Sequence, residues 1–258
     1  MRAMELNNVA VSTNQAAFEW GRHCAHDWAA VQRLLAPAQA VQWHRNPSID
    51  ELVAEREAFL VAYQSGAYAR RYRELVDRVR EAEGPLGKTT LSQAVAKNLF
   101  KLMAYKDEYE VARLHTDPAF VAQISSQFEG NYRIHHHLAP PLWASTNARG
   151  ELQKQKMGAW VRPAFAVLKH LKFLRGTVLD VFGHTHERRT ERALIDQYRQ
   201  SVEALLKHLN AHNHALAVDM ANVPEQIKGF GHVKARHLAA AQQRWNTLKT
   251  EWERQSAA

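Results

Sequence analysis

Three groups of side chains in this sequence have types and spacings that invite chemistry. The first is Gly84–Thr90, GPLGKTT, which looks like a phosphate loop. Such a loop runs G-x-x-x-x-G-K-[ST] after a buried strand, so that backbone N–H groups and the lysine surround the phosphates. With Gly87, Lys88 and Thr89 in register, position 82 should be glycine, and it is Ala82. The preceding Leu75–Glu83, LVDRVREAE, is a charged helical stretch instead of a strand. The expected reading is a turn between two helices, with Thr89 or Thr90 as the N-cap.

Fifteen histidines make the second group. His208 and His212 are four apart, the spacing that puts two imidazoles on one helix face, and His214 follows. His184 and His186 are two apart, and His135–His137 are consecutive. In an extended segment three neighbours alternate between faces, so at most two converge. There is no H-E-x-x-H, so scattered surface and capping histidines are expected, without a metal. The third group is Cys24 in HCAHD. His23 and His26 lie one and two residues away, which on a helix is not a shared face, and an inert buried thiol is expected. A single cysteine permits no intrachain disulfide and no iron–sulfur cluster, which takes about four thiolates.

Charge is distributed more tellingly. The chain carries 34 Lys and Arg against 26 Asp and Glu, a formal charge of +8. Residues 148–175 hold Arg149, Lys154, Lys156, Arg162, Lys169, Lys172 and Arg175 against Glu151 alone, a net +6. These seven cations are the candidate interface for an acidic partner or neighbouring domain. No helix-turn-helix, zinc knuckle or RNP aromatic pattern accompanies them, so nucleic acid is the lesser expectation. Arg70–Glu81, by contrast, alternates charge at i, i+4 and reads as a solvated helix face.

The elements that would position these groups are helices. Glycine and proline number only 11 and 8, and the long runs favour residues that lose little rotamer freedom in a helix. Apolar spacing predicts helices over 12–35, from 49 through Gly66 as one or two helices, and over 89–114, 118–128, 160–174, 186–209, 213–222 and 232–254. Ser48 and Glu51 form a capping-box pattern. Residues 129–159 lose the period, and 177–183 read as extended. The expected fold is mainly α, a bundle of about six to eight helices with an extended or loop insertion near 129–159. In helix 160–174, Val161, Phe165, Leu168 and Phe173 should face inward. One of Gly229 and Gly231 should hold positive φ. No apolar run approaches about 18 residues, so no membrane span is expected. MRAMELNN lacks an apolar signal region, and a cytoplasmic location is expected.

Four stretches resemble a known family. Leu99–Phe120, Phe128–Leu142, Leu174–Ile195 and Pro224–Ala241 look like the C-terminal helical region of fused indolepyruvate ferredoxin oxidoreductases. Met4–Arg22 is similar to the end of the gamma-type domain that precedes it. His115, Trp143 and His184 depart from the more ordinary Tyr or Leu expected there. The resemblance implies residues 1–36 as the tail of a gamma-type domain, 37–47 as a connector and 48–258 as a helical C-terminal domain. It implies membership in an enzyme that decarboxylates aryl 2-oxoacids oxidatively to acyl-CoA and reduces ferredoxin. Thiamine diphosphate, Mg²⁺ and iron–sulfur clusters would belong to that full enzyme, and no catalytic or cofactor motif carries over to this chain. The implied partners are the remaining domains and ferredoxin, with self-association another route to covering the first helix. The competing class is a free-standing interaction or nucleic-acid-binding protein using residues 148–175.

Overall fold

Capping decides where the helices start, and it breaks more of them than apolar spacing foretells. The computed structural model describes residues 2–7, 10–35, 47–128, 130, 133–138, 153, 155–158, 160–229 and 231–257. The chain divides into two compact units, Met1–Pro47 and Ser48–Ala258.

The first unit contains α1 (Arg2–Asn7), α2 (Val11–His26) and α3 (Trp28–Leu35). The single helix expected over 12–35 is interrupted at Asp27, whose carboxylate accepts from the Ala30 N–H at 2.9 Å and opens α3. Except for Pro47, the expected connector 37–47 lies outside the described residues.

The second unit starts with α4 (Ile49–Tyr63), and the Ser48–Glu51 capping box forms in both directions. Gly66 does not sit inside one long helix. Ser65 caps a new one, α5 (Gly66–Glu83), by accepting from Tyr68 N–H. After a 3₁₀ turn at Gly84–Leu86 comes α6 (Thr90–Met103). The helix expected over 89–114 then stops, because Asp107 caps a separate α7 (Glu108–His115) through the Glu110 N–H. Next are α8 (Pro118–Gln127), β1 (His136–Leu138), β2 (Gln155–Met157) and α9 (Val161–Leu168). The two strands pair antiparallel, with His136 opposite Met157. A 3₁₀ segment, Lys169–Leu174, leads through turns to α10 (His186–Leu206), α11 (His214–Asn222) and α12 (Gly231–Ala257). The protein is mainly α as expected, with twelve α-helices among the described residues instead of six to eight. The surplus comes chiefly from the polar caps at Asp27, Ser65 and Asp107.

The main core joins α4, α5, α6, α10, α11 and α12 through Leu60, Tyr72, Leu99, Val202, Met220 and Leu248, all buried. Four tyrosines in this core donate to backbone carbonyls, three of them at or just beyond helix ends. Tyr63 and Tyr68 donate to the Tyr105 and Met103 carbonyls at the end of α6, and Tyr72 and Tyr198 to Ala96 and Ala221. A buried carbonyl without such a partner costs about 1–3 kcal/mol. A smaller core of Ala112, Met157, Val161 and Phe165 ties the two strands and α9 to α7. Gly229 holds φ +84° in the turn into α12, and a Cβ there would meet Val233 Cγ1 at 2.7 Å. Among the described residues no helix is long and apolar enough to cross a membrane.

Candidate interface and the ion-pair cluster behind it

The five of the seven cations that are described do not make one face. Arg149 and Lys154 lie outside the described residues. Lys156 on β2 and Arg162 on α9 are exposed, and Lys169 is half-buried. Lys172 turns back on the fold: its Nζ donates to the Ala62 carbonyl at 2.6 Å, one of the open carbonyls at the end of α4. Burial, then Arg113 and Arg175, push its ammonium below the ordinary lysine range. Arg175 is buried outright. Arg175 therefore faces the interior against a buried carboxylate, and half-buried Lys172 has its ammonium on helix-end carbonyls. Phe173 also departs from expectation. Val161 and Phe165 are buried, but Phe173 is 63% exposed, since three residues per turn from Lys169 onward rotate it off the α9 face.

Arg175 organises a buried ionic cluster. Its Nε and Nη2 donate to Asp107 at 2.5 and 2.9 Å, and its Nη1 to the Tyr63 carbonyl at 2.6 Å. The guanidinium stacks 3.7 Å from the Tyr63 ring. Burial alone would release its proton more easily, but the Asp107 bonds raise its pKa further still. Asp107 thus does two jobs, capping α7 and neutralising Arg175. Arg188 of α10 repeats the pattern, donating to Glu191 at 2.6 Å and Glu108 at 3.4 Å, while Lys234 of α12 pairs with Glu191. Burial raises the Glu108 pKa despite Arg188 beside it.

The segment expected to be extended, TVLDVFG, is a run of turns built around Asp180. That carboxylate is 2% exposed and accepts from Gly176 N–H, Gly183 N–H and the Tyr109 hydroxyl at 2.8, 3.0 and 3.1 Å. Arg192 secures the far end by donating to the Gly183 carbonyl. With the polar group inside, the apolar side chains are forced outward. Val178 is 87% exposed, and Leu179 and Val181 are exposed beside it. Asp180 is the only acid in residues 160–186, so the outside of this segment offers apolar side chains and cations without a carboxylate. Composition around 148–175 drew attention to the cations and missed this loop. Its available signal was a lone Asp between apolar residues, flanked by Gly176 and Gly183.

The other groups singled out have protein partners or open positions. The α6 N-terminus, where GPLGKTT would hold phosphate, already has a resident anion. Glu83 accepts from Leu91 N–H, Ser92 N–H and Ser92 Oγ at 2.8, 2.8 and 2.5 Å, with His214 Nε2 at 2.7 Å. Burial would raise this carboxyl, but the Ser92 and His214 bonds and the two amides hold it below the ordinary value. Thr89 occupies the cap position without a side-chain cap bond. His208 and His212 are exposed, and His135, His136 and His137 alternate exposed, buried, exposed. Among the described residues no group of three or more candidate ligands converges. Cys24 is half-buried on α2, not buried as expected.

Comparison with known proteins places the chain without assigning it an activity. The family DUF6537, described as a family of unknown function, matches residues 49–247. No curated protein and no solved structure shows a significant match.

Proposed function

We propose that this chain, which belongs to DUF6537, a family of unknown function, is a helical docking module of a 2-oxoacid:ferredoxin oxidoreductase. Sequence resemblance supplies the enzyme class. The observation that carries the docking role is the apolar loop Val178–Val181, held out rigidly by the buried Asp180. Exposed apolar groups at a fixed position are how a protein marks a contact surface. Lys156, Arg162 and Lys169 add positive charge that would steer an acidic partner, either a neighbouring domain or ferredoxin. Three of the resembling stretches, Leu99–Phe120, Leu174–Ile195 and Pro224–Ala241, contribute Asp107, Arg175, Asp180, Arg188 and Lys234 to the buried cluster. Their work in this reading is to hold the loop and the surrounding helices in place.

The unit Met1–Pro47 fits the tail of a gamma-type domain. Leu6, Phe18, Trp20, Trp28 and Leu34 are exposed there, and a preceding domain or a second copy would cover them. Thiamine diphosphate, Mg²⁺ and iron–sulfur clusters would sit in other domains. A single thiol does not hold a cluster, and the buried carboxylates here face protein cations and amides.

Two measurements test the proposal. The purified chain should not oxidise indolepyruvate with ferredoxin or a dye acceptor, and turnover would sink the module reading. Added to the separately produced remainder of the enzyme, the chain should bind it, and Leu179→Asp with Val181→Asp should weaken that association without changing the melting transition. Failure of the unaltered chain to bind, or tighter binding to duplex DNA, would favour the free-standing reading instead.

A further inference from the structure

Between α10, α11 and α12 runs a groove with a cavity volume of about 640 Å³, within the range that holds small organic ligands. Tyr198 and Leu194 form one wall, and Leu238, Trp245 and Trp252 of α12 the other. Lining this groove are mostly apolar groups, with glutamines, Ser201, Lys207, His208 and the Lys249–Glu253 pair among them. A second recess adjoins it. Leu102, Leu194 and Ile227 also line this recess, of about 370 Å³. Cations are denser there: Lys101, Lys106, Lys228 and Lys234 line it, with Glu191 as the one acid.

The four ammonium groups are not equally committed. Lys234 is paired with Glu191, and Lys101 donates to the Pro224 and Glu225 carbonyls at 2.7 and 3.2 Å. Lys106 and Lys228 are exposed, with no side-chain partner among the described residues. The cations also oppose one another. Burial lowers the Lys101 pKa, Glu225 opposes that, and Lys228 and Lys234 lower it further. An anion placed in this recess would relieve the crowding.

We propose that the two recesses form one binding site for an anionic amphiphile. Its apolar body would lie between Tyr198 and Trp245, and its carboxylate, sulfonate or phosphate head would reach Lys106 and Lys228. A soluble single-chain molecule fits better than a bilayer surface, since the apolar part is a walled groove and not an exposed face. This inference does not rest on the oxidoreductase reading and survives its failure.

The test is calorimetric titration of the full chain with dodecanoate, dodecyl phosphate and dodecanol, each below its aggregation limit. Both anions should bind saturably at one site, and the alcohol at least roughly fivefold more weakly, the scale of losing solvent-exposed charge contacts. Lys106→Glu with Lys228→Glu should weaken both anions by a similar factor and leave the alcohol unchanged. Both lysines are exposed, so this variant keeps its fold and gives a clear reading. Ser201→Trp, which narrows the groove, should weaken all three ligands. Equal affinity for acid and alcohol, indifference to the lysine reversal, or no saturable binding would overturn the site. Binding only to phosphatidylglycerol vesicles, and not to the free amphiphiles, would also overturn it and point to a membrane surface.

Discussion

Two buried polar regions of the second unit have opposite characters. Around Arg175, most charged groups have placed partners: Asp107 twice, Tyr63, Asp180 with two backbone amides, Arg188 with two carboxylates, while Glu108 Oε2 and Arg192 Nη1 are buried exceptions. Around His115 and His136, the charged forms have none. The two rings meet edge to face at 4.8 Å between α7 and β1, with Phe165 and Phe120 against them. His115 Nδ1 and His136 Nε2 are buried without a hydrogen bond. The difference teaches that burial by itself does not decide whether a polar region locks a fold. The first region is held by charge in a low-dielectric setting. The second is held by ring packing that tolerates only neutral imidazoles.

The largest effect is expected at the Arg175–Asp107 pair. Replacing Asp107 by Ala leaves a buried guanidinium unpaired, which costs about 3–5 kcal/mol. Chemical denaturation should show it. The double variant Asp107→Ala, Arg175→Met should lose clearly less than the two single losses added. Additive losses would mean the pair is two independent contacts and would remove one side of the comparison.

Asp180→Ala comes next. It strips an acceptor from Gly176 and Gly183 and should cost about 1–3 kcal/mol. Its distinctive readout is hydrogen exchange, fast at Gly176 while the amides of α6 stay protected. A uniform rise in exchange would show that the loop is not a separately anchored element.

A backbone control touches neither polar region. Gly229→Ala should destabilise by on the order of 1 kcal/mol, since alanine is strained at this φ and its Cβ meets Val233. A melting transition unchanged within error would contradict that.

The smallest global effect is expected from acid. Burial lowers both histidine pKa values; His136 and Lys106 add to this at His115, and Arg162 and His135 at His136. Asp117, two residues after His115, caps α8 by accepting from the Ala119 N–H. A folded-state pKa below the unfolded value of 6.5 means that the unfolded chain binds more protons. The contribution is therefore present above pH 6.5 and lost as pH falls through the folded values. Lowering pH from about 7.5 to about 5.5 should reduce the protection of amides in β1, β2 and α9, taken relative to the intrinsic exchange rate at each pH, and His136→Phe should flatten that response. Loss of protection across the Arg175 cluster instead would erase the contrast between the two regions.

The sequence by itself determined the mainly α class, the Ser48–Glu51 cap, the positive φ at one of the two late glycines and the alternation of His135–His137. Each follows from local rules: apolar spacing, a side chain reaching three residues along, a backbone conformation, a period of two. Near neighbours in sequence are near neighbours in space under those rules. Tertiary structure alone decided the rest. Arg175 counted as one of seven like charges until Asp107, 68 residues away, was seen to claim it. Glu83 read as part of a charged helix face, yet it fills the anion position at the start of α6 beside His214, 131 residues away. Asp180, unremarked between Leu179 and Val181, turns inward to Tyr109 while Val178 and Leu179 point out. In each case the energy lies in pairing a buried charge. Which charge is buried, and with what, depends on helices that the chain brings together only when it folds.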